Sequence, residues 1–436
     1  MNNYQVSPIT LQRAYRKIDW RLLPFLVICY MIAYLDRVNV GFAKLQMQSD
    51  LGLSDAAYGL GAGIFFIGYA IFETPSNLLL PKIGARITLS RVMILWGLTS
   101  ASMVFVNDEM SFYVLRFMLG VFEAGFAPGV VFYLTLWYGR ERMARVMAIV
   151  MIAGPLGGMF GGPVSTWLMT TFAGVHGMAG WQWMFLIEAL PAVFLGLLAL
   201  KVLSDKPADA NWLTNEEKEA LSKHISSAPG HDHSFSRVLR NWRVYLMAAG
   251  YFCIICGIYA MSFWLPTIIK DAGVKDTTTI GLYSAIPYVG AMIGMLALGR
   301  TSDLFNERRW HSAIPALIGA ACLVGSVQYK DNLVIALTFL TVATSMMWAA
   351  YTVFWAIPAQ HLKGDSAAGG IAVINTIGLL GGFFSPTLIG YAKSATNDPN
   401  AGLLLMAVIL VIGSILLALH RPANHPHRTV QNKQTA

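Results

Sequence analysis

Long apolar runs alternate with short polar breaks along the whole chain, and this alternation leaves few folds open. A membrane-spanning helix needs about 20 mostly apolar residues. Twelve runs of that order occur, over about 22–43, 58–80, 87–106, 111–136, 144–171, 182–202, 244–269, 279–299, 312–328, 332–357, 368–392 and 401–420. A membrane β-strand needs only about ten alternating residues, so strands do not fit. Most connections are short, which makes neighbouring helices antiparallel. Only 12% of residues are charged, against roughly 25% in soluble domains. A water-facing surface cannot be covered with so few charges, whereas a lipid-facing one can be apolar. The expected fold class is an all-α membrane protein of twelve transmembrane helices. The first run begins near Leu22, is too long for the apolar core of a signal peptide and is not followed by a small-residue cleavage site.

Lys and Arg set the orientation. Of the 31, 24 fall on one side of the runs, five (Lys44, Lys270, Lys275, Lys330 and Lys393) on the other, and two, Arg37 and Arg116, within runs. The positive-inside bias therefore places both termini in the cytoplasm, with a bacterial inner membrane as the expected location. Basic residues interspersed in this way argue against nucleic acid as the reason for the net charge of +8. One long connection divides the runs into two sets of six: residues 1–203, a linker over 204–240, and 241–436. Within it, Thr214-Asn215-Glu216-Glu217 forms a capping box that opens a short helix through about Ile225. Leu213, Leu221 and Ile225 of that segment can lie on the membrane or against the bundle. His231 and His233 read as solvated loop, and His425 and His427 as a disordered end. Cys253-x-x-Cys256 has no second ligand pair at metal spacing, so lipid-facing or packed thiols are expected, with no metal and no cofactor.

A charge at mid-bilayer costs at least ~2.5 kcal/mol and calls for a partner and usually a task. The candidates are Asp36 and Arg37 in the first run and Arg116 and Glu123 in the fourth. Arg116 and Glu123, two turns apart, share a helix face; Asp36 and Arg37 point about 100° apart. Two carboxylates and two guanidiniums can form interchangeable ion pairs. A buried carboxylate can take up and release a proton, and the Arg fork matches a carboxylate bidentately. That chemistry suits proton-coupled carriage of an anion; a static salt bridge joining the two helices is the alternative. Glu73 and Glu188 are expected near span ends, satisfied by water or helix N-termini. Tyr34, Tyr69, Tyr259, Trp264, Thr352, Trp355 and Asn375 could line the same cavity. Gly154-Pro155-Leu156-Gly157-Gly158 and Gly161-Gly162-Pro163 read as close helix packing.

Several motifs carry a resemblance. Gly299-Arg300-Thr301-Ser302-Asp303 with Arg308-Arg309, between runs 8 and 9, resembles the cytoplasmic-loop signature of the major facilitator superfamily. Its counterpart Lys82-Ile83-Gly84-Ala85-Arg86 lacks the Asp. The glycines from Gly154 to Gly158 resemble the antiporter signature of that superfamily, with Val150 where it would begin with Gly. Tyr34-Leu35-Asp36-Arg37-Val38-Asn39-Val40-Gly41-Phe42-Ala43 is similar to the opening signature of its anion:cation symporter family. Glu123-Ala124-Gly125-Phe126-Ala127-Pro128-Gly129 resembles that family's fourth-span motif, Gly180-Trp181-Gln182-Trp183-Met184-Phe185-Leu186-Ile187-Glu188 its sixth, and Gly370-Ile371-Ala372-Val373-Ile374-Asn375 its eleventh.

The resemblance implies a major facilitator fold of two pseudo-symmetric six-helix halves. It implies carriage of a small carboxylate such as a hydroxy, sugar or aromatic acid, usually with protons. Asp36 and Glu123 would couple protons, Arg116 would pair with Glu123, and Arg37 would meet the substrate carboxylate. Tyr34, Tyr69, Thr352, Trp355 and Asn375 would line the site, with Phe354 adding a wall. Gly299, Asp303, Arg308 and Arg309 would form a cytoplasmic gate, against simple topogenic charge as the alternative. The expected partners are a small carboxylate, a proton and the lipid bilayer, with no nucleic acid and no obligatory protein. An anion exchanger is the nearest rival. A non-transporting sensor would need a soluble signalling domain, and an enzyme a catalytic cluster within the runs; the sequence offers neither.

Overall fold

The computed structural model describes residues 8–225, 240–361, 366–398 and 400–420. The readings of His231, His233, His425 and His427 fall outside them. Among the described residues, twelve helical spans are long and apolar enough to cross a membrane. They are Ile9–Asp50, Asp55–Ile83, Ala85–Phe105, Glu109–Trp137, Glu141–Thr171, Gly180–Val202, Trp242–Asp271, Thr277–Phe305, Arg309–Gln328, Leu333–Pro358, Gly369–Thr396 and Ala401–Leu419, numbered spans 1–12 below. Every expected run is a helix, and no strand occurs among the described residues.

The helices overrun the apolar sequence. Span 1 has 42 residues, about 60 Å at 1.5 Å per residue, twice the hydrocarbon thickness. Its first turns are polar on one side, while Ala14, Tyr15 and Ile18 are buried. They pack on the linker helix Asn215–Ile225. Lys17 Nζ donates to Glu217 at 2.8 Å, and Leu213 and Leu221 are buried, so the linker helix lies against the bundle. Burial pushes the Glu217 carboxyl up, but the bonds from Lys17 and the Thr214 N–H outweigh it and hold the group below the usual carboxylate range.

Outward faces are apolar. Leu282, Ile286, Val289, Ile293 and Leu296 form an exposed stripe at helical spacing on span 8, the surface a lipid solvent requires. Span 7 is enclosed by protein almost throughout, and its Cys253 packs against Gly413 of span 12. All four cysteines are buried free thiols.

The termini of the bundle and the linker helix share one face, called the linker face here; the other is the far face. Spans 2 and 11 and spans 5 and 8 cross-pack between the first six and the last six spans. Glycines permit this. A Cβ on Gly59 or Gly63 would strike backbone of span 11 at Pro386 or Phe383, and one on Gly158 would strike the Tyr288 ring. The span-5 glycines therefore do the packing expected of them.

Five spans are interrupted. Span 1 breaks at Asn39, span 4 at Ala124–Gly125, span 5 at Ile152, span 10 at Trp355 and span 11 at Leu380. At Gly125 the backbone is left-handed (φ +94°), a conformation that favours glycine. Interrupted helices at mid-membrane are tolerated where they line a site buried in protein.

Candidate functional site

The ends of two interrupted helices meet in the middle of the bundle. Arg37 stands two residues before the break in span 1, and Glu123 is the last residue before the break in span 4. Arg37 Nη2 forms an ion pair with Glu123 Oε1. Arg37 Nη1 donates to Tyr259 Oη of span 7 at 2.8 Å, so one guanidinium ties the first six spans to the last six. The Arg37 side chain is 14% exposed and that of Glu123 fully buried.

Arg116 is fully buried in the same cluster. It does not pair with Glu123, as the resemblance implied. It donates to the carbonyls of Gly61 at 3.4 Å and Ala62 at 3.1 Å on span 2. Being seven residues apart shares a face but leaves the two groups about 10 Å apart along the helix, whereas Arg37 arrives from a neighbouring span. The Phe65 ring joins the two guanidiniums, each with its central carbon 5.2 Å from the ring centroid; Tyr69 lies 5.5 Å from that of Arg37. Cation–π contact of this kind is strongest when desolvated. Gly120 makes the arrangement possible, because a Cβ there would collide with the Phe65 carbonyl oxygen.

The cluster thus holds two guanidiniums against one carboxylate. Arg37 Nε, Arg116 Nη1 and Glu123 Oε2 have no hydrogen-bond partner among the described residues. Buried donors without partners are costly and are groups that the oxygens of an anion can satisfy.

Asp36 does not join this cluster. The 100° offset from Arg37 turns it into the packing between spans 1 and 3, where it accepts from Trp96 Nε1 at 2.9 Å and Ser100 Oγ at 3.4 Å. The expected exchange of ion pairs among four charges is therefore reduced to one pair, Arg37–Glu123. Tyr34 bonds Ser262 of span 7 at 2.9 Å, and its ring meets Trp348. Trp355 and Phe354 pack on Tyr251, at 4.9 and 5.0 Å between ring centroids, in an aromatic wall. Thr352 returns its hydroxyl to the Trp348 carbonyl of its own helix. Asn375 Nδ2 donates to Glu73 Oε1 at 2.9 Å, joining spans 11 and 2. Glu73 and Glu188 are both buried. Glu188 accepts from side chains of other spans on both oxygens, whereas Glu73 accepts on Oε1 from Asn375 and its Oε2 has no hydrogen-bond partner among the described residues; neither meets a helix N-terminus.

At the linker face, Arg308 pairs with Asp303 at 2.5 Å and donates to Ser302 at 2.9 Å. Arg309 donates to the Ala418 carbonyl at the end of span 12. Gly299 has open space where a Cβ would stand. The first loop finds its missing carboxylate elsewhere: Asp205, just past span 6, accepts from the Arg86 backbone N–H at 2.9 Å and lies 3.8 Å from its Nε.

The far face carries a charge network that sequence reading missed. Lys44 is buried over the Trp264 ring at 3.7 Å and bonds Asp55 at 2.7 Å. Lys393 lies 3.0 Å from Asp271 and 3.7 Å from Asp55. Lys44 and Asp55 come from the first six spans, Asp271 and Lys393 from the last six. Each looked like an ordinary loop-end charge, and only their co-occurrence at one end of four spans could have marked them.

This fold and buried charge cluster define a polytopic membrane transporter. The chain belongs to the Major Facilitator Superfamily, whose model matches residues 26–386. It is 46% identical to a Pseudomonas putida protein named as a metabolite transport protein, NicT, over 95% of each chain. It is 44% identical to an Agrobacterium vitis protein named as a tartrate transporter, over 93% of this chain and 90% of that one. Among solved structures, a bacterial homolog of the human lysosomal transporter Spinster, in inward-facing and occupied conformation, superposes with a TM-score of 0.76 at 16% identity. It covers 92% of this chain and 96% of that one. The protein is a multi-pass membrane transporter of a small molecule, not an enzyme.

Proposed function

We propose that this transporter is a proton-coupled symporter importing a small organic anion across a bacterial inner membrane, with both termini in the cytoplasm. The observation that carries the reading is the excess of guanidinium over carboxylate in the buried Arg37–Glu123–Arg116 cluster, with donors left over. Protonating Glu123 removes the countercharge of Arg37 and frees its fork for a substrate carboxylate. Deprotonation re-forms the pair and expels the anion. Because Arg37 also bonds Tyr259 across the two sets of six spans, its occupancy is felt by both as they rock in alternating access. The resemblance to the anion:cation symporter family and the tartrate-named relative support a carboxylate. The substrate class is a hydroxy or sugar acid or an aromatic acid, the latter helped by Tyr69, Tyr251 and Trp355. Asp36, with neutral donors only, is the second coupling carboxylate of this reading.

The test is uptake of tartrate and a panel of carboxylates into proteoliposomes under an imposed pH gradient. Accumulation that Glu123→Gln abolishes while counterflow persists is the expected result. Counterflow indifferent to the gradient in the wild type would instead establish an exchanger.

A further inference from the structure

Glu188 is a buried carboxylate that the scheme above leaves unused. It sits on span 6, 4% exposed. Its Oε1 accepts from Ser165 Oγ of span 5 at 2.7 Å, and its Oε2 from Asn39 Nδ2 at 3.0 Å. No cation among the described residues lies within ion-pair distance of it. The charged residues of the packed spans are elsewhere. Arg13, Arg16, Lys17, Asp19 and Arg21 of span 1, Arg86 and Arg91 of span 3, and Glu141, Arg142 and Arg145 of span 5 stand toward the linker face. Lys44 and Asp50 of span 1 are toward the far face, and Arg37 is engaged by Glu123. The remaining titratable neighbour is Asp36, a like charge within electrostatic range. A carboxylate buried with neutral donors alone is expensive to keep ionised.

Asn39 is the residue at which span 1 is interrupted, fully buried, with its side chain withheld from capping the helix that follows. Its amide donates to Glu188, yet its Oδ1 has no hydrogen-bond partner among the described residues. An amide presents donor and acceptor on opposite sides of one bond. Turned by half a revolution, it would offer Oδ1 to Glu188, which is the correct partner for a protonated carboxyl donating its O–H. The Glu188–Asn39 pair is thus complementary in both protonation states, and the orphaned acceptor is the half that the ionised state leaves idle.

We propose that Glu188 is a further proton-binding site of the transporter, read out at the interruption of span 1 by rotation of the Asn39 amide. A proton from water adds to one carboxylate oxygen and later returns to water; no other bond forms or breaks. Asn39 lies two residues from Arg37, so the charge state of Glu188 acts on the helix end that positions the anion-binding fork. The role of this proton in transport rests on the symport reading, but its binding does not.

The decisive measurement is therefore made without substrate, on the full-length protein in lipid, by infrared difference spectroscopy during a pH titration together with counting of protons taken up. The wild type is expected to give a titrating carboxylic-acid carbonyl band that Glu188→Gln removes, with one proton fewer bound per protein. Identical titrating bands in both proteins would overturn the proposal, even if uptake is proton-driven. Ser165→Ala and Asn39→Val keep the carboxylate and remove one partner each. They are expected to retain the band and move its midpoint, and an unmoved midpoint in both would equally overturn it. Failure of proton-driven uptake in the wild type would sink the symport reading and leave the band to be judged by itself.

Discussion

At the scale of single residues, the two intramembrane arginines have different surroundings and should fail differently. Arg37 uses its fork on Glu123 and Tyr259, and Arg37→Lys keeps the charge but loses the planar geometry. Uptake is expected to fall about 10- to 100-fold, which is roughly 1.4–2.8 kcal/mol of binding energy in the transport step, with little change in the amount of folded protein. Arg116 is held by two span-2 carbonyls. Arg116→Ala removes those bonds, and a lower melting temperature in detergent should accompany any loss of uptake. Equal stability of the two variants would contradict the distinction. The residues carrying these effects were legible in the sequence because charge within an apolar run is rare. Their pairing was not, since helical spacing specifies a face but no neighbour. Asp36 illustrates the limit: one residue from Arg37, it serves a different interface.

At the scale of elements, the interruptions and the glycine contacts govern geometry. Gly120→Ala places a methyl against the Phe65 carbonyl, which must push spans 2 and 4 apart; overpacking of this kind costs about 1–3 kcal/mol. Reduced thermal stability and impaired uptake are expected together. The linker helix offers a pH test. The Glu217 carboxyl is held below its ordinary range when docked. Its contribution is therefore present above the unfolded-state pKa and lost as pH falls through the folded one. Hydrogen exchange over 215–225 should accelerate on acidification below the usual carboxylate range, and Lys17→Ala should move that onset to higher pH. The spans were readable because lipid demands long apolar helices. Their ends were not, since the extra turns of span 1 and the linker helix are stabilised by each other, a contact between residues 200 apart.

Across the whole molecule, the far face is shut by contacts between the first and last six spans. Tyr34 reaches Ser262, Tyr58 bonds the Phe263 carbonyl at 3.0 Å, and the Lys44–Asp55–Lys393–Asp271 network lies beyond them. Lys393→Ala removes one side of that closure. In a background with the four native cysteines replaced, Ser262→Cys should then react several-fold faster with a membrane-impermeant maleimide. An unchanged rate would assign the closure to the aromatic and glycine contacts alone.

The Asp205 contact has a consequence for how the two sets of spans are joined. The loop between spans 2 and 3 is completed by a residue that belongs to the chain leaving span 6. The covalent register between Val202 and Asp205 is thus part of that loop. Deleting one residue there would rotate the carboxylate off Arg86 and damage a site some 120 positions upstream. A restored Asp in the first loop itself, in the place the second-loop motif gives it, should make the same deletion tolerable. What looks in the sequence like a decayed motif is a motif assembled from two places.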